Sequence, residues 1–279
     1  MAATSWLEKT VGEIAGSIER AVFTEEHARR RGWLQGLDPR AKLGMFLAVV
    51  LAVGLSNSLA VLAVVYALVL AAAAASRTPF DFFVKRVWLG IPLFAGVVIV
   101  PSLFLGPAPY LLREQVGPVT VAVSVPATWG ALVFVARVGI SVSLAVLLVL
   151  TTPWADLLKS LQALRVPPVF VLVLSMTYRY IFLFLHTLNG MLESRRSRVV
   201  GRTGGGEQRA WIVSGMGYLM NRSFQMSSDV YSAMLARGFG GHVRSYTTFR
   251  MAARDWTALG GAVALAVAVV GVTHVVVTA

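Results

Sequence analysis

Long apolar stretches, interrupted by short basic ones, dominate the pattern of this chain. From Leu43 to Ala75 almost every residue is apolar, and Ser56-Asn57-Ser58 is the polar break inside the stretch. At 1.5 Å per residue the whole stretch is too long for one ordinary crossing of a bilayer. It therefore predicts two short spans joined as a hairpin.

Three further apolar stretches have the length of membrane spans, at about residues 88–105, 129–150 and 256–277. Together with the hairpin they predict an all-α integral membrane protein with about five transmembrane helices. Arg137 lies inside the fourth span, where a charge must reach the interface or find a polar partner. Arg137 either makes a structural contact inside the bundle or has a role in coupling.

The segment before the first span has a different pattern. Residues 1–36 alternate charged and apolar positions at helical spacing, which predicts an amphipathic segment at the cytoplasmic interface, with a frayed tail as the alternative. Asp38 then suits a helix N-cap, and Pro39 suits the first helical position. The first transmembrane helix is therefore expected to begin there.

The part between the fourth and fifth spans predicts long helices that carry arginines at their ends. Residues 151–168 suggest a short amphipathic helix bounded by prolines, and residues 167–198 suggest one long helix. The glycine-rich break at 201–206 precedes a second long helix, from about residue 207 to 237. That helix ends in Ala236-Arg237-Gly238, where Gly238 suits a left-handed cap and the arginine suits the helix dipole.

Composition and charge distribution then suggest a topology. The chain is 57% hydrophobic and 14% charged, too few charges for the surface of a soluble domain of this size. The net charge of +12 fits the excess of Lys and Arg on the cytoplasmic side of membrane proteins better than a nucleic-acid-binding surface. Residues 190–254 contain ten arginines. If residues 169–188 crossed the membrane after a two-span hairpin, these arginines would lie on the outer side of the membrane, against the positive-inside rule.

The favoured topology therefore keeps residues 169–188 on the cytoplasmic side, with the N-terminus inside and the C-terminus outside. The rival topology counts 41–75 as one long tilted span and lets 169–188 cross. The predicted organisation has four parts: an interfacial segment 1–36, transmembrane helices 37–150, a cytoplasmic coupling-helix region 151–250 and a C-terminal transmembrane helix 251–279.

Five motifs, in this order along the chain, resemble the transmembrane T component of energy-coupling factor transporters. They are LDPRAKL (37–43), LLVLTTPWADLLKSLQALRVP (147–167), LSMTYRYIFLFL (174–185), SRRSR (194–198) and SAMLARGFGG (232–241). The long segment before the first motif is similar to the cobalt-type branch, the CbiQ family.

The resemblance implies a mechanism and a set of partners. A T component joins two cytoplasmic ABC ATPases, here a CbiO-like dimer, to a membrane substrate-binding subunit, here CbiM-like with or without a CbiN-like subunit. Each of its two long coupling helices ends in an Ala-Arg-Gly-like tripeptide that docks in a groove of one ATPase. The lipid bilayer is the remaining partner, and the location implied is the bacterial cytoplasmic (inner) membrane, with several crossings.

The resemblance assigns the docking role to two tripeptides of this chain. Ala236, Arg237 and Gly238 match the second tripeptide fully. Ser197, Arg198 and Val199 match the first, with valine in place of glycine, and the neighbouring Ser194, Arg195 and Arg196 are the alternative register. The apolar faces of both helices are expected to contact the substrate-binding subunit.

The resemblance implies import of cobalt, with nickel or a vitamin as the alternative cargo. A stand-alone carrier or channel is the other class of function considered. No Gly-x-x-x-x-Gly-Lys-Ser/Thr run occurs, so ATP hydrolysis is expected on a partner, and no catalytic residue or cofactor is expected here. The chain has no cysteine, and its four histidines, His27, His186, His242 and His274, lack ligand spacing.

Overall fold

The computed structural model describes residues 32–76, 91–104, 109–116, 119–199, 204–241 and 251–278, together with the single residues Gly16 and Val87. Contacts divide the chain into two units. The bundle unit comprises the described residues within Glu25–Leu157 and Phe249–Ala279, and the helix-pair unit comprises those within Leu158–Thr248. The amphipathic segment predicted for residues 1–36 lies almost entirely outside the described residues.

The first two helices of the bundle unit form the predicted hairpin. Helix α1 spans Pro39–Leu55 and α2 spans Leu59–Ala75. Asp38 caps α1 by accepting a hydrogen bond from the Arg40 backbone N–H at 2.9 Å, as the sequence predicts. The side-chain amide of Gln35, just before α1, donates to the Ser76 carbonyl just after α2, at 3.1 Å. The chain therefore returns to the end of the bundle from which it started.

The rest of the bundle unit contains three helices and a β-hairpin. Helix α3 spans Ile91–Phe104, α4 spans Val125–Thr151 and α8 spans Ala253–Thr278. Strands β1 (Tyr110–Val116) and β2 (Val119–Ser124) pair antiparallel just before α4. The sequence indicated only a loop rich in proline, glycine and valine there. Five apolar helices thus occupy the positions of the five predicted spans.

The core of the bundle unit is aliphatic and lies where four helices meet. Its buried side chains come from α1, α2, α4 and α8: Val49, Ala52, Val53, Leu62, Val65, Val69, Val133, Ile140 and Val269. Valine predominates because its compact branched side chain packs with little loss of rotamer freedom. Helix α3 lies against α4.

Polar contacts join three helix ends at one end of the bundle. The buried Lys42 ammonium, in the first turn of α1, donates to the Thr151 carbonyl at the end of α4, at 2.8 Å. The buried carboxylate of Asp255 accepts from the backbone N–H groups of Asp38 at 3.1 Å and Ala252 at 2.8 Å. The start of α1, the end of α4 and the start of α8 therefore lie side by side.

Arg137 reaches the hairpin turn between α1 and α2 from the middle of α4. Its Nε and Nη2 atoms donate to the Ser56 carbonyl at 2.8 and 2.5 Å, and Nη2 also donates to Asn57 Oδ1 at 2.6 Å. The Thr273 hydroxyl of α8 donates to Ser56 Oγ at 3.3 Å. Arg137 thus has a polar partner inside the bundle, as its position requires.

The helix-pair unit follows a short connection. Helix α5 (Trp154–Ser160) and a 3-10 helix (Leu161–Leu164) occupy the segment predicted as a short amphipathic helix. Helices α6 (Pro168–Arg198) and α7 (Gly205–Ala236) confirm the two predicted long helices.

Three helices in the described part of the chain have the length and hydropathy of membrane spans: Val125–Thr151, Pro168–Arg198 and Ala253–Thr273. Leu59–Ala75 and Leu93–Leu103 are shorter apolar helices. The protein is an all-α membrane protein, as predicted, and the β-hairpin is a small addition to that fold class.

Candidate functional site

Helix α7 ends in a Schellman cap. Gly238 has a φ of 79°, in the left-handed region that a residue with a Cβ rarely adopts. Its N–H donates to the Leu235 carbonyl at 2.9 Å, and the Phe239 N–H donates to the Met234 carbonyl at 3.0 Å. These are the two bonds that define the motif. Arg237, which immediately precedes Gly238, is exposed.

The end of α6 is built differently. Arg198 is its last helical residue, and Val199 follows in an extended conformation, with a φ of −90° and a ψ of 113°. A β-branched residue is comfortable in that conformation, so this tip has no need of glycine. The Val199 N–H donates to the Arg195 carbonyl at 3.0 Å. Valine in place of the glycine of the resembled tripeptide is therefore compatible with this helix end.

All six residues of the two predicted tripeptides are exposed: Ser197, Arg198, Val199, Ala236, Arg237 and Gly238. The alternative register is mixed. Ser194 and Arg196 are exposed, whereas Arg195 is only 8% exposed. Three arginines in the last turn of α6 favour its helical end, because their charge opposes the negative end of the helix dipole.

Helices α6 and α7 run antiparallel and contact each other near the glycine-rich break. The Arg195 guanidinium lies over the Trp211 ring, 4.4 Å from the ring centroid. One turn away, a Cβ placed on Gly215 would lie 3.3 Å from Met191 Cε. The tip of α6 therefore lies beside the start of α7, and the two candidate tripeptides lie at opposite ends of the pair.

An apolar groove of about 470 Å³ separates the two helices toward the other end of the pair. It is lined by residues within 173–184 of α6 and 223–234 of α7, including Met176, Met226 and Met234. A second cavity, of about 780 Å³, adjoins the α6 tip and is lined by Arg195, Arg198, Glu207 and Trp211, among others.

The outer face of α7 is a second apolar surface. No residue of this helix is buried within the chain. Six large exposed side chains recur at intervals of three, four and seven residues, and so form one stripe: Val213, Met216, Met220, Phe224, Tyr231 and Leu235. Such an apolar stripe marks a surface that another molecule or the membrane covers.

Trp211 is the residue whose role the sequence did not reveal. The sequence marks it only as one apolar position of the second long helix. Its contact with Arg195 arises because the two helices pair antiparallel across the glycine-rich break. The one feature of the sequence that hints at this contact is that both residues lie near the break. Within the described residues, no group of three or more His, Asp or Glu side chains could hold a metal ion.

Comparison with known proteins agrees with the motifs. The family model CbiQ, described as "Cobalt transport protein", matches residues 30–248. An uncharacterised protein of Methanocaldococcus jannaschii is 30% identical over 85% of this chain and 82% of its own length. The cobalt transport protein CbiQ of Rhodobacter capsulatus is 27% identical, over 61% of this chain and 68% of that protein.

A further relative bears the name of the T component itself. The energy-coupling factor transporter transmembrane protein EcfT of Listeria innocua is 27% identical, over 78% of this chain and 84% of that protein. The match of the family model covers most of the chain and includes both arginine-tipped helices. The chain therefore belongs to the CbiQ family and is a T component of the energy-coupling factor type.

Proposed function

We propose that this T component couples ATP hydrolysis on two cytoplasmic ATPase subunits to movement of a membrane substrate-binding subunit, and that the cargo is the cobalt ion. The observation that supports the coupling is the position of Arg198 and Arg237. Both side chains are exposed, and they lie at opposite ends of one antiparallel helix pair.

The spacing of the two tips suits two separate docking sites. The 31 residues of α6 span about 45 Å at 1.5 Å per residue. Two arginines that far apart engage two protein surfaces more readily than one small pocket. A symmetric pair of ATPase subunits offers two equivalent grooves, one for each tip.

Arginine is well suited to such docking. Its planar guanidinium binds a carboxylate through two parallel hydrogen bonds, and buried arginines often dominate the affinity of an interface. Each arginine lies at a helix terminus and is exposed, so its guanidinium is accessible to another protein. The partner grooves are accordingly proposed to carry acidic side chains.

The substrate-binding subunit is proposed to contact the apolar surfaces of the pair. The outer stripe of α7 and the groove between the helices expose methionines, including Met216, Met220 and Met226. Methionine side chains are unbranched and repack easily, which suits a contact that shifts during a transport cycle. A helix pair that transmitted movement to another subunit would use both the outer stripe of α7 and the groove between the helices.

Cobalt is proposed as the cargo because the family model and one relative carry that name. Nickel is the alternative. Competition between the two ions for uptake by the complete transporter distinguishes them. The metal site and ATP hydrolysis are both proposed to reside on partner subunits, and this chain to be non-catalytic. If the chain alone, reconstituted without ATPases, transported either ion, a stand-alone carrier would replace the proposal.

Charge reversal at the two tips tests the docking directly. Arg198→Glu and Arg237→Glu place carboxylates opposite the proposed acidic groove residues, so we expect each variant to insert normally and to bind its ATPases less tightly. The double variant should lose about tenfold or more in ATP-driven uptake, as for loss of a central interface arginine. Co-purification with the ATPase subunits and cobalt uptake are the measurements.

Arg222→Glu is the matched control. Arg222 is an exposed arginine in the interior of α7, far along the helix from both tips. It should leave co-purification unchanged. If the double tip variant assembled and transported like the unaltered protein, the proposed docking role would be wrong.

A further inference from the structure

Arg195 differs from the other arginines at the α6 tip. Arg196 and Arg198 are exposed, whereas Arg195 is 8% exposed, and its guanidinium lies 4.4 Å from the centroid of the Trp211 ring. Its Nη1 atom is buried and has no hydrogen-bond partner among the described residues. The side chain is thus directed into its own helix pair, away from any docking partner.

A buried guanidinium nitrogen without a hydrogen-bond partner is costly unless another interaction offsets the loss of water. The face of the indole ring provides that interaction, because its negative quadrupole attracts the cation and the attraction strengthens when water is excluded. An aliphatic side chain at position 211 could fill part of the space, but it could not replace the attraction.

The contact lies one helical turn from a second contact between the two helices. A Cβ on Gly215 would lie 3.3 Å from Met191 Cε, so the absence of a side chain at 215 gives Met191 room to pack against α7. Arg195 follows Met191 by one turn, and Trp211 precedes Gly215 by one turn. Two contacts one turn apart fix both the separation and the twist of the helix pair, whereas one contact would leave a pivot.

We infer that Arg195 and Trp211 are positioning residues: they brace the end of α6 against α7 and so fix the direction in which the next turn presents Arg198. The brace is a property of this chain alone. The advantage of the brace is that the tip is already ordered before it docks on an ATPase. That advantage alone rests on the proposed function. Ordering a tip beforehand lowers the entropy cost of binding.

Spin-label distances in the full-length chain test the brace without any partner. The chain has no cysteine, so Ser197→Cys and Ala210→Cys can be labelled uniquely, one on each helix. We expect a narrow distance distribution for the unaltered pair and for Trp211→Phe, which keeps an aromatic face. Trp211→Leu and Arg195→Gln should broaden it. Arg196→Gln, the exposed neighbour, is the matched control and should not.

Equal widths for Trp211→Leu and the unaltered chain would overturn the inference, provided that circular dichroism shows unchanged helicity. Broadening by Trp211→Phe as severe as that by Trp211→Leu would also overturn it, because the aromatic face would then be irrelevant and only volume would matter. A narrow distance distribution for Trp211→Phe beside a broad one for Trp211→Leu is the result that simple packing does not produce.

The complete transporter provides the second measurement. Trp211→Leu should lower the cobalt imported per ATP hydrolysed, because a less ordered tip transmits less of the ATPase movement, while the ATPases still co-purify. If the distances broaden but Arg198→Glu has no effect, the proposed docking fails and the brace stands. If Arg198→Glu uncouples and the distances do not change, the brace fails and the docking stands.

Discussion

Single residues define the two tips, and they do so by different backbone conformations. Gly238 adopts a φ of 79° and closes the end of α7, whereas Val199 continues from α6 in an extended conformation. A common tripeptide pattern therefore corresponds to two local structures. What the tips share is an exposed arginine at the last helical turn.

Replacement of Gly238 by alanine should destabilise the end of α7. A Cβ in the left-handed region costs about 1 kcal/mol, and the Schellman bonds would open to relieve it. Gly217→Ala is the control, for which we expect a change in stability of the opposite sign. Gly217 lies inside α7 with open space around it, so alanine should raise helix stability by about 1 kcal/mol. The shift in melting temperature of the purified chain measures both, and equal shifts would contradict the argument.

The sequence predicted those residues whose partners are close by in the chain. Asp38 caps the helix that begins at the next residue, and Gly238 ends the helix just before it, so a few neighbouring residues determine each conformation. Arg137 and Arg195 could not be predicted in the same way. Each contacts a residue on another helix, and which residue depends on how the helices pack.

At the scale of the element, the α1–α2 hairpin depends on its turn. Both helices are short and largely aliphatic, so apart from the Lys42 contact at the other end of the bundle their packing would allow them to slide along α4. The guanidinium of Arg137 holds the Ser56 carbonyl and the Asn57 side chain against the middle of α4. This contact sets the register of the hairpin in a way that valine packing cannot.

Arg137→Leu should therefore lower the stability of the bundle and leave coupling intact. The Ser56 carbonyl loses its charged donor, at a cost of about 2 kcal/mol. Asn57→Ala removes one of the bonds from Arg137 and should have a smaller effect. Melting temperature reports the loss, and cobalt uptake per folded protein should be unchanged. Normal stability with reduced uptake would favour a coupling role instead.

At the scale of the molecule, the bundle unit bears on the number of membrane crossings between α4 and α8. The start of α1, the end of α2, the end of α4 and the start of α8 all lie at one end of the bundle. The chain leaves the bundle after α4 and returns before α8 at that same end. A single crossing by α6 would need a second crossing to return, so we expect α6 either to stay on the side it starts from or to cross together with α7, although its length and hydropathy would permit a crossing.

Labelling of single cysteines tests the remaining choice, in which α6 and α7 either stay on the cytoplasmic side or cross as a pair. In intact cells, Gln115→Cys in β1 should react with a membrane-impermeant maleimide. Gln162→Cys in the 3-10 helix and Gly204→Cys between α6 and α7 should react only after permeabilisation. Outside labelling at 204 in addition to 115 would show a crossing pair and would place the α6 tip outside, away from the cytoplasmic ATPases.

The two helix ends place different demands on whatever covers them. The two Schellman bonds of α7 satisfy the carbonyls of Met234 and Leu235, and the chain then turns through the left-handed Gly238. At the end of α6 the Val199 N–H bonds to the Arg195 carbonyl, and Val199 continues from the helix in an extended conformation. A groove that receives α7 must therefore accommodate a tight turn after the arginine, whereas a groove that receives α6 must accommodate an extended residue. Under the proposed function, two identical grooves would meet two different backbone shapes, and the two docking contacts would differ in strength even with a symmetric motor.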